Sequence, residues 1–247
     1  MQANRMMLTL IAATATTLAA NSAHADGLIR KLPDDATWAT FQVEGYKEKS
    51  DQRKEPFAGW LRMSSVDSAT EEGQLCRWIE FDNTYSKGGR PERRSIDKLL
   101  IPEEYLAVGE TPGEHIVRGW TRFDQPEQGN VRASEKLEGR PFAGQAWVYL
   151  VGPAVDEKKL DPLKIDHKKL GEITCERRTG TFRSKLPHPN GPLEVSGTFE
   201  ARLHERAPFG IVRYEVNMRE PGGREMKVTL SLDDFGPTAT SALPEQK

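Results

Sequence analysis

Leu193-Glu194-Val195-Ser196-Gly197-Thr198-Phe199-Glu200-Ala201-Arg202-Leu203-His204 is the stretch that decides the fold class of this chain. Its odd positions are apolar or small and its even positions polar, without a break. A period of two sends alternate side chains to opposite faces of an extended strand, so the stretch predicts a strand with one buried and one wet face. After a turn at Arg206-Ala207-Pro208 the pattern resumes, with Gly210, Val212, Tyr214, Val216 and Met218 set against Ile211, Arg213, Glu215, Asn217 and Arg219. Pro221-Gly222-Gly223 punctuates it, and Met226, Val228, Leu230 and Leu232 then alternate with Lys227, Thr229, Ser231 and Asp233. Such runs joined by short Gly/Pro turns predict an antiparallel meander with one buried face. Val195, Phe199, Leu203, Val212, Tyr214, Val216, Val228 and Leu230 are expected to form internal core rather than an open groove.

The same theme runs upstream in a looser form. Ala39, Phe41 and Val43 alternate with Thr40, Gln42 and Glu44, and residues 57–66, 74–81, 93–101, 145–151 and 172–183 are further strand candidates. One medium helix is expected over 112–123. Thr111 and Glu114 stand in the capping-box relation, Pro112 takes the first helical position, and Ile116, Trp120 and Phe123 recur at helical spacing. A strand is the competing reading of that segment. Residues 125–144 and 153–171 are polar and rich in Gly, Pro and Lys, and read as loops or short helical turns. The expected fold is therefore mainly β: a single domain with an antiparallel, curved sheet plus one medium helix.

The N-terminus supplies an address. Arg5 is the only charge before Asp26, Met6 to Ala20 are mostly apolar, and Ala23-His24-Ala25 fits a small-x-small cleavage site. Residues 1–25 read as a signal peptide, too short for the roughly 20 apolar residues a membrane span needs. The division that follows is 1–25 signal peptide, 26–235 antiparallel β domain and 236–247 loose C-terminal tail. The formal net charge of −2 gives no field that would hold nucleic acid. A mean hydropathy of −0.65 leaves no candidate membrane span after the leader.

Two cysteines, Cys76 and Cys175, make up the whole complement. In an oxidising compartment an even count reads first as a disulfide, so Cys76 and Cys175 are expected to pair, with two separate buried thiols as the bland alternative. His115, His167, His188 and His204 show no metal-ligand spacing, and the adjacent carboxylates Glu71-Glu72, Glu103-Glu104 and Asp233-Asp234 point apart on strands. Asp234-Phe235-Gly236 and Ser95-Ile96-Asp97-Lys98 spell fragments of kinase and penicillin-recognising motifs without the companion elements those need. Arg90, Arg93 and Arg94, and later Arg177, Arg178, Arg183 and Lys185, cluster beside turns and read as solvated faces. Trp38, Phe41, Phe57, Trp60, Trp78, Trp120 and Trp147 read mostly as core. No catalytic, cofactor-binding or metal-ligating residue is singled out.

Between Gly171 and Val216 a strand carrying Cys175 ends in Gly180-Thr181-Phe182, a second runs to Leu203-His204, and Ala207-Pro208-Phe209-Gly210-Ile211-Val212 opens the return. This cadence resembles the C-terminal part of uncharacterised exported bacterial proteins. It is also similar to the curved-sheet superfamily of periplasmic lipoprotein carriers and anti-sigma-factor regulators. The front half, with Trp78-Ile79-Glu80-Phe81 ahead of Lys98-Leu99-Leu100-Ile101-Pro102, has a compatible order of strands. The resemblance implies a half-barrel whose concave side accepts acyl chains or protein segments without covalent chemistry. The polarity of this chain departs from a lipid carrier, which needs apolar lining beyond its core. The expected function is an exported, non-enzymatic binding module, periplasmic or extracellular, for a hydrophobic ligand or an envelope partner protein. A hydrolase with dispersed catalytic residues and a structural envelope component are the alternatives.

Overall fold

The computed structural model describes residues 28–87, 90–106, 110, 112–125, 130–131, 135–136, 154–186, 193–219 and 223–243. The signal-peptide reading, the strand candidate at 145–151, Thr111, Trp147 and His188 lie outside them. The described residues form one antiparallel sheet. Its strands are β1 (Trp38–Glu48), β2 (Lys54–Glu71), β3 (Gln74–Lys87), β4 (Arg90–Pro102), β5 (Arg118–Gln125), β6 (Asn130–Val131), β7 (Glu135–Lys136), β8 (Lys158–His167), β9 (Gly171–Leu186), β10 (Leu193–Leu203), β11 (Ile211–Arg219) and β12 (Glu225–Gly236).

The order across the sheet is β6-β5-β4-β3-β2-β1-β12-β11-β10-β9-β8, with β7 also pairing β5. Two meanders, one from each half of the chain, are thus joined where the first strand pairs with the last, from Trp38 opposite Gly236 to Lys47 opposite Met226. The described path is open and does not close into a barrel.

Alternation builds these strands as read. Leu193–Leu203, Ile211–Arg219 and Glu225–Gly236 match the predicted meander. Phe199, Tyr214, Val216 and Leu230 are buried in one core cluster together with Phe41, Leu61 and Phe81 of the front half.

Two expectations are corrected. Residues 112–123 are not a helix; a short 3-10 turn at Pro112–Glu114 leads into β5. The apparent helical stripe dissolves once Trp120 is counted with Arg118 and Arg122 on one face, and Thr121 with Gly119 and Phe123 on the other. The 153–171 segment is not loop throughout, because Lys158–His167 forms β8. There Leu160, Leu163 and Ile165 pair with β9 across a register shift that accommodates Asp161-Pro162, and this irregularity hid the period.

The sheet is strongly curled. His167 Nε2, at the end of β8, donates to Leu232 O at 3.0 Å, although β9, β10 and β11 lie between β8 and β12 in the order. In a flat sheet those strands would stand roughly 19 Å apart. The tip of the β8–β9 hairpin therefore reaches across to β12, and Lys168 and Lys169 fix it there on Asp233 and Asp234. Gly45 and Gly197 permit such curvature: a Cβ on either would run into the neighbouring strand's carbonyl oxygen, of Lys227 and of Asn217. No helix layer covers the concave face among the described residues. Leu28, Ile29, Ala207 and Phe209 plug one end of it, tied by a hydrogen bond from Arg30 N to Phe209 O at 3.0 Å.

Candidate functional site

Four register-aligned positions define the floor of an open cleft. Phe182 of β9 stands opposite Gly197 of β10, Gly197 opposite Met218 of β11, and Met218 opposite Met226 of β12. Directly opposed residues share a face, so this row lies on the concave side. Gly197 leaves a notch in the row, and the Phe182 ring leans over it. The cleft encloses about 810 Å³, within the range of small-molecule sites. Tyr46 of β1 and Val155 form its walls. Val155 is 69% exposed although apolar.

The rim is polar. Arg219 pairs with Glu225 at 2.9 Å, while Ser196, Thr198 and Asn217 line the neighbouring positions. The wall that carries Val155 is tied to β9. Val155 N donates to Thr181 O at 2.8 Å, and Asp156 Oδ1 accepts from Thr181 N and Oγ1 at 2.8 and 2.6 Å. The Thr181 hydroxyl, then its amide, hold the Asp156 carboxyl below the usual carboxylate range. Below the rim, Lys227 donates to Glu215 and lowers that carboxyl too, against the opposing effect of burial.

The residues singled out by sequence are dispersed. Cys76 and Cys175 do not pair: both are free and buried, Cys76 against Trp78 and Leu100, Cys175 in the main core. Their strands, β3 and β9, are separated by β2, β1, β12, β11 and β10 in the sheet, a distance that two-stranded logic on isolated runs does not reveal. Burial pushes both thiols up, which keeps them protonated and unreactive at neutral pH.

His167 accepts from the amides of Lys169 and Leu170 on Nδ1, which fixes its Nε2–H tautomer and makes it a turn-closing residue. His115 stacks on Tyr105, and His204 accepts from Arg206 N beside its turn. Ser95 and Lys98 sit on opposite faces of β4, so they form no serine–lysine pair. Among the described residues no group of three or more His, Cys, Asp or Glu could hold a metal ion.

Sequence reasoning missed a buried charge cluster. Glu157 accepts from Arg30 and Arg178, each at 3.2 Å, and the Arg30 and Glu157 side chains are only 4% and 7% exposed. Arg30 also lies over the Phe199 ring. Nothing local marks Arg30 or Glu157, since 127 positions separate them. The cleft, by contrast, had a signal: Met218 and Met226 are the last and first apolar positions of the alternating runs on either side of Pro221-Gly222-Gly223.

No protein-family description matches the chain, and no curated protein matches it. Among solved structures, a candidate lipoprotein from Parabacteroides distasonis aligns with a TM-score of 0.31 at 10% identity, over 85% of this chain and 98% of its own. A β-barrel-like protein of the domain of unknown function DUF1849 from Brucella abortus aligns with a TM-score of 0.25 at 10% identity, over 85% and 99%. Likenesses this distant give the chain neither a family nor a function. The resemblance to lipoprotein carriers and anti-sigma-factor regulators rests on the sequence cadence alone.

Proposed function

We propose that this chain is an exported binding module of the cell envelope and that the cleft at the ends of β9–β12 receives a hydrophobic ligand or an apolar side chain of a partner protein. One observation carries the reading: an open cleft of about 810 Å³ is lined by the aligned row Phe182–Gly197–Met218–Met226 together with the exposed apolar side chain of Val155. Methionine side chains adapt to varied apolar shapes, and Met226 is only partly buried. The sealed row of Phe199, Tyr214 and Val216 speaks against a long acyl channel, because those side chains are packed on one another. The site fits a short apolar group held by its end, with Arg219, Asn217 and Thr198 available to its polar part.

An anilinonaphthalene dye titrated into the native protein tests the reading. Saturable fluorescence enhancement is expected, and Met226→Asp should abolish it while leaving the thermal melt close to that of the parent. Undiminished dye binding by a folded Met226→Asp variant would overturn the proposal.

A further inference from the structure

A second row of aligned residues crosses the opposite, outer face of the sheet in the front half. Trp38 of β1 stands opposite Ser64 of β2, Ser64 opposite Glu80 of β3, Glu80 opposite Lys98 of β4, and Lys98 opposite Trp120 of β5. Residues 237–243, expected to be a loose tail, run along this row at right angles to the strands. The Trp38 indole N–H donates to Pro237 O at 3.2 Å and Ala239 N donates to Ala36 O at 2.6 Å.

The Glu80 carboxylate then accepts from Ser241 Oγ at 2.8 Å, from Ala242 N at 3.0 and 3.1 Å, and from Leu243 N at 3.2 Å. Lys98 Nζ donates to Leu243 O at 3.2 Å. Glu80 and Lys98 are 3% and 4% exposed, and Leu243 is buried.

Two buried charges are thus spent on the main chain of a short segment, with one side-chain hydroxyl and one buried leucine as the specific contacts. Main-chain recognition beside an apolar pocket is how extended peptides are bound. Three features make the arrangement a site rather than a fixed part of the core. Glu80 and Lys98 face each other directly across β3 and β4, so they are placed to pair with one another when the segment leaves, and neither charge is then stranded. The segment is terminal to β12, so its release breaks no strand pairing. The row also continues from Lys98 to Trp120, which is only half-buried, so it offers surface beyond the contacts made by Ser241–Leu243.

We infer that the outer face of β3–β5 is a peptide-binding site, held in cis by Ser241–Leu243. Its partner in trans is an extended segment of another protein carrying a hydroxyl residue, a small residue and a leucine in succession. The cis segment acts as a built-in competitor whose advantage is its high local concentration. This site is separate from the cleft, so the two readings fail independently.

The test uses the full-length chain and a fluorescent peptide with the sequence of residues 236–247. In the Leu243→Asp variant, whose own segment is disfavoured, the peptide is expected to bind saturably and with one-to-one stoichiometry. The parent should bind it roughly tenfold more weakly or less, because its own segment competes. Adding Lys98→Met to Leu243→Asp should abolish binding, whereas Met226→Asp should leave it unchanged. Ala242→Pro, which removes one donor to Glu80, provides an independent way to release the segment and should expose the site in the same manner.

No saturable binding by folded Leu243→Asp and Ala242→Pro chains would overturn the inference. So would equal binding by the parent. Failure of both variants to fold would show the segment to be integral core, and would also overturn it. A concentration-dependent dimer of the parent would assign the site to the segment of a second copy and overturn the choice of partner.

Discussion

The two meanders solve the same problem differently. In β10–β12 one face carries nearly all the burial, so apolar and polar residues mostly alternate and the charges stay at the surface. In β3 and β4 both faces are covered: Ile79, Phe81 and Leu99 point into the main core, while on the outer side Trp78 and Leu100 are buried in a second cluster and Glu80 and Lys98 are buried against the C-terminal segment. Covering a second face turns an alternating strand into a continuous run and forces charged residues to find buried partners. One-sided burial is easily read and buys stability from packing alone; two-sided burial creates sites.

Substitutions at the typical contact of each half separate one-sided from two-sided burial. Phe199→Ala, in the one-sided half, removes a ring packed on Tyr214 and under Arg30. It should cost about 3–5 kcal/mol in denaturant unfolding through lost transfer energy plus a cavity. A melt close to that of the parent would mean that the concave row is groove, not core.

Glu80→Ala, in the two-sided half, should cost only about 1–2 kcal/mol, because the segment that loses its acceptor peels into water instead of remaining unsatisfied. A cost matching that of Phe199→Ala would make the outer face as integral as the inner one.

Acid separates the halves more gently. In the C-terminal half Glu215 is held low by Lys227. Glu176 is also held low, since hydrogen bonds from Arg178 and Lys159 outweigh the burial that opposes them. A carboxyl whose folded value lies below its unfolded one stabilises the fold above the ordinary carboxylate range. That contribution is lost as pH falls through the lowered folded value. Stability measured against pH should therefore fall below about pH 4.5, and Glu215→Gln should flatten the fall. An identical acid limb in Glu215→Gln would show the Lys227 pairing to be energetically idle.

The smallest effect belongs to the exposed face of β2. Trp60→Ala, at a ring 43% exposed, should shift stability by no more than about 0.5 kcal/mol.

These contrasts also explain how much the sequence revealed. Alternation located β10, β11 and β12 almost residue for residue, because a single wet face leaves the period intact. It failed at 112–123, where Ile116, Trp120 and Phe123 mimic a helical stripe although Trp120 and Phe123 lie on opposite faces of β5. It failed at β8 because Asp161-Pro162 interrupts the period.

The cysteine pairing failed for a different reason. Composition and compartment say how many thiols are available to join, but only the order of strands says how far apart they stand. The cleft was half legible: the apolar residues were placed correctly, but their alignment across four strands depends on register, which no single strand encodes. The outer site was illegible, since residues 236–247 carry no period and their partners Glu80 and Lys98 look like ordinary surface charges.

The pairing of β1 with β12 has a consequence for how the molecule is made. Residues 38–48 must wait for residues 225–236 before the two halves can be joined, so the central ladder is also the strand pairing of longest sequence separation among the described residues. Each meander, in contrast, pairs strands that follow one another in the chain. Local hairpins form early and distant pairings late, because loop closure over a long chain delays the contact. During biogenesis the halves thus behave as two half-sheets, each showing a raw edge where the other will dock. The middle of the finished sheet is the last part to close and the place where an incomplete chain is most exposed to aggregation or to cleavage.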